Sequence, residues 1–256
     1  MALNQSLKVA PALWASTGCA KARRLVCVSS MNGMKRFRVI FGLLPCVVFG
    51  AESVCHGTTS DGRLENGVEL PRSGPNFVTY SNVARIAGRT YVHSEVSEII
   101  VAAYAELEKE LPNKVYKYAE TGFEEGGEFK PHKTHRNGLS VDFMTPVKSR
   151  QGASVLLPTY PWNKFGYSIE FDERGRFEDL MIDYDALAAH IVALDRAAKS
   201  RDHKIWRVIF DPELQAGLFN TRYGDYIQSN IALSKKRSWV RHDEHYHVDF
   251  VVPCEK

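Results

Sequence analysis

The stretch His245-Tyr-His-Val-Asp-Phe250, close to the end of the chain, alternates histidine or aspartate with aromatic or aliphatic side chains. Successive side chains of a β-strand point to opposite faces of a sheet, so His245, His247 and Asp249 share one face. Two imidazoles at this spacing can reach a common ion or reactant. The pattern predicts that residues 245–252 form a closing strand with reactive groups on its polar face.

A second alternating segment, residues 139–143, places Asp142 on the polar side of a short strand. His135 lies seven positions earlier, beyond Asn137-Gly138, a pair that favours a turn. A turn there would bring His135 beside Asp142. Two histidines and one carboxylate form a known catalytic zinc set, with the fourth position left for water. A lone His-x-His is more often an ordinary pair of side chains, so the site is indicated only by these segments together.

Composition sets limits on the class of protein. The chain has 256 residues with 44% hydrophobic and 25% charged residues, which suits one large domain or a domain with appendages. Of the 33 basic residues, seven lie in residues 1–51, which contain no Asp or Glu. Residues 52–256 therefore carry 26 basic and 30 acidic side chains, a net charge of −4. This body has no general basic surface, so we expect no nucleic-acid partner.

The beginning of the chain has the features of an export signal. Residues 34–38 are mostly basic, and residues 39–49 are an apolar run too short to span a membrane as a stop-transfer helix. We predict an N-terminal extension and signal peptide within residues 1–50, with the signal at about residues 31–50 and cleavage after Gly50. No stable membrane insertion is expected after its removal. The alternative is that this segment is a buried apolar strand or helix.

The cysteines agree with export. Three of the five, Cys19, Cys27 and Cys46, would be removed with the leader. The remaining two, Cys55 and Cys254, lie near the ends of the mature chain, and in an oxidising compartment such a pair favours a disulfide. The alternative is two unrelated free thiols.

The rest of the chain mixes helical and strand patterns. Residues 51–75 are rich in small and polar residues and are predicted to form an extended arm before a folded domain at residues 76–256. The mixture predicts an α+β fold, with a small central antiparallel sheet flanked by helices and a single zinc site at the sheet. The other predicted elements are helices at 94–111, 183–200 and 211–219 and strands at 115–119, 167–171, 177–182 and 205–210.

Two longer patterns resemble a known family. They are His132-Lys-Thr-His-Arg-Asn-Gly-Leu-Ser-Val-Asp142-Phe143 and Trp239-Val-Arg-His-Asp-Glu-His-Tyr-His247-Val248. Together they resemble the penicillin-insensitive murein endopeptidases, which carry His-x6-Asp and His-x2-His-x-His. The resemblance covers roughly residues 74–254. The first pattern also fits the His-x-x-Gly-x-x-x-Asp of the wider superfamily, which includes D-alanyl-D-alanine carboxypeptidases and lysostaphin-type enzymes.

The resemblance implies a periplasmic zinc metallopeptidase that hydrolyses D-amino-acid-containing peptide cross-links of peptidoglycan. It implies that His135, Asp142 and His247 bind one zinc ion per chain. It also implies that His245 acts as a general base or stabilises the tetrahedral oxyanion, and that His242 is a further active-site residue.

The identity of the base is left open between two residues. The related carboxypeptidases use a Glu three positions before the last histidine ligand, and Glu244 has that place here. In a regular strand Glu244 would face away from His247, which favours His245 as the base. Glu244 could serve only if residues 241–244 curl.

Other polar residues near the motifs have two interpretations. Asp243 and Asp249 are either acceptors that orient the ligand imidazoles or ordinary surface acids. His132, three positions before His135, is either an active-site residue or an exposed loop side chain.

Two other functions fit the same ligands. One is a D-Ala-D-Ala-type metallocarboxypeptidase, which needs a cation to hold the free carboxylate of its substrate. The other is a non-catalytic zinc-bearing protein that binds the cell wall, which would not need His245 or His242. Because both histidines are present, the sequence favours an enzyme.

Overall fold

The computed structural model describes residues 51–238 and 240–255, and the predicted signal peptide lies outside these residues. The strands are β1 (Val54–Thr58), β2 (Asp61–Glu65), β3 (Val68–Glu69), β4 (Phe77–Thr79), β5 (Tyr91–Val92), β6 (Tyr116–Tyr118), β7 (Ser140–Met144), β8 (Val147–Ser149), β9 (Ser154–Val155), β10 (Arg176–Phe177), β11 (Leu180–Ile182), β12 (Lys204–Ile209) and β13 (His245–Val251). The α-helices are α1 (Asn82–Ile86), α2 (Ser94–Glu110), α3 (Tyr184–Lys199), α4 (Gln215–Phe219) and α5 (Gly224–Asn230). An irregular 3-10 segment spans Pro161–Gly166.

A five-stranded sheet with the order β12-β13-β7-β6-β4 holds the two strands expected to carry the site. Strand β13 is antiparallel to both of its neighbours. The prediction of an α+β fold is confirmed. The sheet is not wholly antiparallel, however, because β4 and β6 run parallel. The chain between these two strands contains α2, and a helical crossover returns the next strand in the same direction.

Helices α2 and α3 bury their apolar residues beside one face of this sheet. Asp183 caps α3 by accepting a hydrogen bond from the N–H of Ala186, as the sequence predicts. On α3, the ring of His190 stacks on the ring of Tyr104 of α2, with 4.8 Å between centroids. Nδ1 of His190 forms a hydrogen bond with the hydroxyl of Tyr246 of β13. The apolar side chains of β13 therefore face the helices, which leaves His245, His247 and Asp249 for the opposite face.

Residues 51–75 do not form the extended arm that was expected. Strands β1 and β2 pair as a hairpin, and Cys55, Leu64 and Leu70 are buried in the core. The carbonyl of Thr59 accepts a hydrogen bond from the N–H of Arg136 at 3.1 Å, so the hairpin packs against the loop that carries His135. Of the small and polar residues that suggested an arm, Thr59 and Ser60 form the turn, whereas Gly57 and Gly62 lie in the paired strands.

The expected hairpin between residues 167–171 and 177–182 is also wrong in its first strand. Strand β11 pairs with β10 on one side and with β8 on the other. The side chain of Asp172 accepts hydrogen bonds from the N–H groups of Arg174 and Arg176, which makes a local turn in place of a longer ladder. The helix expected from residue 211 begins later, as α4.

No helix among residues 51–238 and 240–255 combines the length and the apolar character needed to cross a membrane.

The expected disulfide between Cys55 and Cys254 is present and joins the hairpin to the end of the chain. Breaking it is expected to lower the free energy of unfolding, because the bridge closes a loop with a sequence separation of 199 residues. The chain-entropy model gives about 5 kcal/mol for so long a loop. Thermal unfolding of the protein with and without reductant, and of a variant with both Cys55→Ser and Cys254→Ser, measures this. Equal stability of the oxidised and reduced forms would contradict the prediction.

Candidate metal centre

Strands β7 and β13 place Asp142 directly opposite His247. Nδ1 of His247 donates to Oδ1 of Asp142 at 2.8 Å, and Nε2 donates to Oδ1 of Asp249 at 2.8 Å. Burial alone would lower the pKa of His247, but the two carboxylates outweigh burial and raise this pKa to about 10. His247 therefore lies between two buried carboxylates, and the site favours positive charge beside Oδ1 of Asp142, which either a proton on Nδ1 of His247 or a metal ion in its place would supply.

His135 reaches the same carboxylate from a loop. Its backbone φ of 69° lies in the left-handed region and turns the loop back toward β7. Nδ1 donates to the carbonyl of Thr121 at 2.8 Å, and burial lowers the pKa of the ring, so Nε2 carries a lone pair. This buried atom has no hydrogen-bond partner and lies 3.3 Å from Oδ1 of Asp142. Two acceptors so close together are stable only with a cation beside them, which a metal ion would supply.

The two oxygens of Asp142 face different sets of side chains. Burial alone would raise the pKa of this carboxyl, but the surrounding histidines outweigh burial and hold it well below its usual value. Oδ1 faces His135 and His247. Oδ2 lies 3.4 Å from Oη of Tyr167, 3.7 Å from Nδ1 of His132 and 3.9 Å from Nε2 of His245.

His132 is part of this centre and is not an exposed loop residue. Nε2 donates to Oε2 of Glu120 at 2.5 Å, so the lone pair of the neutral ring is on Nδ1. His132, His135 and Asp142 have one donor atom each within 4.8 Å of one another, close enough to hold a metal ion. The described part of the chain thus offers either His132 or His247 as the third ligand beside His135 and Asp142.

The residues before β13 curl, as the sequence required for Glu244 to approach the site. His242 has a backbone φ of 59°, and residues 241–244 lie outside the strand. The carboxylate of Glu244 accepts a hydrogen bond from Nδ1 of His245 at 2.7 Å. Because Nδ1 holds the proton in the neutral ring, the lone pair of His245 lies on Nε2, the nitrogen nearer to Asp142. Both candidate bases therefore belong to one hydrogen-bonded pair.

His242 packs against His245, with 4.6 Å between the ring centroids. Nδ1 of His242 donates to the carbonyl of Val240 at 2.9 Å. Burial, with help from the nearby charge of His245, lowers the pKa of His242 to about 4, so this ring is neutral near pH 7.

The two aspartates singled out as possible acceptors behave differently. Asp249 is buried and accepts hydrogen bonds from His247, Ser140 Oγ and Arg207 Nε. It therefore fixes the orientation of the His247 ring, as carboxylates commonly do for metal-binding histidines. Asp243 instead accepts from the N–H of Phe171 at 2.6 Å. Burial, with the hydrogen bond to Glu244, raises the pKa of Asp243 to about 7.

An open cavity of about 730 Å³ borders the centre on the side of His132, Tyr167 and His245. Its wall also contains three residues that the sequence did not single out, Tyr80, Arg89 and Glu120.

Glu120 accepts hydrogen bonds from Tyr80, Arg89 and His132. Burial alone would raise its pKa, but His132 and Arg89 outweigh burial and lower it to about 2. These residues come from separate segments and share no spacing pattern, so no sequence signal could have grouped them.

A family model described as penicillin-insensitive murein endopeptidase matches residues 55–256. The match begins at Cys55, within the β1–β2 hairpin, and includes every residue of the centre described above. A search of curated proteins found no match to the chain.

Proposed function

The chain belongs to the penicillin-insensitive murein endopeptidase family, a class of metallo-endopeptidases that hydrolyse peptidoglycan, and we propose that it is a periplasmic zinc enzyme that cleaves D-amino-acid-containing peptide cross-links. Export through the signal peptide predicted at about residues 31–50 would bring it to that substrate. The ligands proposed for a single zinc ion at the sheet are His135, Asp142 and His247.

The observation that carries this proposal is that one imidazole nitrogen of His135 and one of His247 both lie close to Oδ1 of Asp142. The unpartnered Nε2 of His135 lies 3.3 Å from that oxygen, and Nδ1 of His247 lies 2.8 Å from it. Imidazole nitrogens with one carboxylate are a donor set that suits zinc. His132 faces the other oxygen, on the side of the cavity, so His247 is the better third ligand.

Zinc in such a site supplies Lewis acidity, which lowers the pKa of a water molecule and polarises the scissile carbonyl. The remaining chemistry belongs to the side chains around Oδ2 of Asp142. Nε2 of His245 faces the cavity and carries the lone pair of the neutral ring; in that form it would accept the proton of the attacking water, then return it to the leaving amine. Glu244 holds Nδ1 of His245 and stabilises the ring when it is charged.

Two further side chains would assist the same step. The hydroxyl of Tyr167 lies on the cavity side of Asp142 and can donate a hydrogen bond to a developing oxyanion, because a tyrosine keeps its proton at neutral pH. His242 packs on His245 and would restrict the rotation of its ring.

The family match favours an endopeptidase over a carboxypeptidase. A carboxypeptidase needs a free cation for the terminal carboxylate of its substrate. Arg89 is already paired with Glu120, and Arg241 with Asp211. Lys164 and Arg237 also line the cavity, so the preference for an endopeptidase rests on the family match.

Digestion of cross-linked muropeptide dimers tests the proposed function. The purified protein is expected to hold about one zinc ion per chain, as a mononuclear site requires, and to convert dimers to monomers. A chelator should abolish cleavage, and added zinc should restore it. Absence of bound metal would overturn the zinc proposal. Release of terminal D-residues with intact dimers would show a carboxypeptidase instead.

A further inference from the structure

Two aromatic side chains beside the cavity are exposed to solvent. Trp162 is 80% exposed and Tyr160 is 49% exposed. Their rings stack on each other, with 4.6 Å between centroids and 13° between planes. We call this pair the aromatic platform. It presents a flat surface that is largely exposed at Trp162.

The platform stands on a segment fixed by polar contacts. The side chain of Asn163 accepts hydrogen bonds from the N–H groups of Tyr160 and Gly166, at 2.8 and 2.9 Å, and donates to the carbonyl of Pro158 at 2.9 Å. Below it, Nζ of the part-buried Lys117 donates to the carbonyl of Leu157 at 2.7 Å. Two stacked aromatic rings on a hydrogen-bonded segment offer an exposed flat face on which a ligand ring can stack.

The same segment also forms part of the cavity wall. Lys164 and Phe165 line the cavity together with His245. The N–H of Phe165 donates to the carbonyl of Tyr160 at 2.8 Å, which links the platform directly to that wall. A substrate that enters the cavity and continues beyond it on this side therefore meets the platform.

We propose that the aromatic platform binds a sugar ring of the glycan strand while the attached peptide cross-link occupies the cavity. This inference rests on the proposed function. Peptidoglycan joins peptides to glycan strands, so the part of the substrate outside the cavity includes pyranose rings. The C–H groups of such a ring carry partial positive charge and stack on the negative face of an indole or phenol ring.

The test compares two substrates that have the same cross-link. One is a cross-linked muropeptide dimer with its disaccharides, and the other is the cross-linked peptide after an amidase has removed the glycan. For Trp162→Ala, the ratio of KM for the glycan-bearing substrate to KM for the glycan-free substrate is expected to rise about fivefold to tenfold, as the loss of one aromatic contact predicts. Trp162→Phe should restore most of the ratio.

Trp206→Ala is the matched control, because Trp206 is 52% exposed on β12 and packs against Arg207, away from the cavity. It should leave the ratio as in the wild type. An unchanged ratio in Trp162→Ala, or an equal rise of both KM values, would overturn the platform proposal.

Direct binding separates this proposal from the proposed function. Peptide-free glycan strands should bind the wild type, and bind Trp162→Ala much more weakly, when binding is measured by calorimetry. If the wild type binds these strands and cleaves no cross-link, the proposed function is wrong and the proposal of glycan binding by the aromatic platform is supported. If it cleaves glycan-free cross-links and does not bind the strands, the proposal of glycan binding is wrong and the proposed function is supported.

Discussion

Replacing His245 with alanine is expected to lower kcat for cross-link cleavage by about 10²–10⁴-fold, the usual contribution of a general acid–base group, while one metal ion stays bound. The reason is geometric. Nε2 of His245 lies on the cavity side of Asp142, 3.9 Å from Oδ2, whereas the proposed metal position is at Oδ1. Metal content and single-turnover cleavage of a muropeptide dimer, measured on the same preparation, check both parts.

Glu244→Gln separates the two candidate bases. An amide oxygen can still accept the hydrogen bond from Nδ1 of His245, so the ring stays oriented and only the charge is lost. We expect a loss of about tenfold, well below that of His245→Ala, since the catalytic group itself remains. If Glu244 is the base, Glu244→Gln will instead be the more damaging change. Loss of metal in His245→Ala would make His245 a ligand and contradict the assignment.

A histidine outside the centre is the control for this pair of variants. His203 lies just before β12, and its Nε2 is 3.3 Å from Oε2 of Glu95. His203→Ala should retain both metal and activity. Inactivation of all three variants would point to a general loss of folding, which circular dichroism would reveal.

The sequence predicts the strands of the site better than its loops. Alternation in residues 245–250 correctly separates the histidines from Tyr246, Val248 and Phe250, because side-chain parity follows directly from strand geometry. The same argument holds for Asp142 on β7. Outside the strands, parity does not apply. Glu244 lies one residue before β13, so its contact with His245 depends on the curl at His242, which no periodic pattern encodes.

Long-range contacts account for most of what the sequence could not predict. Glu120, Arg89 and Tyr80 meet His132 only because separate segments fold together. The β1–β2 hairpin is similar, since its pairing is held by buried Cys55 and Leu64 while its composition is that of a loop. Both features need tertiary packing to define them, and a single sequence shows only local preference.

Replacing His247 with alanine is expected to weaken zinc binding far more than replacing His132. Both histidines lie near Asp142, and both donate a second N–H to a carboxylate, Asp249 or Glu120. They differ in the oxygen that they face. His247 shares Oδ1 with the unpartnered nitrogen of His135, whereas His132 lies 3.7 Å from Oδ2. A metal ion at Oδ1 therefore needs His247.

We expect more than about a 100-fold loss of zinc affinity in His247→Ala, above the 10- to 100-fold range found for residues that only orient a ligand. His132→Ala should lose no more than about tenfold, and Asp249→Asn should fall between the two. Competition with a chromogenic chelator gives these affinities without reference to activity. If His132→Ala loses the metal and His247→Ala keeps it, the ion lies at Oδ2 with His132, His135 and Asp142 as its ligands. His247 would then be only the charged partner of Asp142, and the proton-transfer role proposed for His245 would have to be assigned again, because its Nε2 would lie beside the metal.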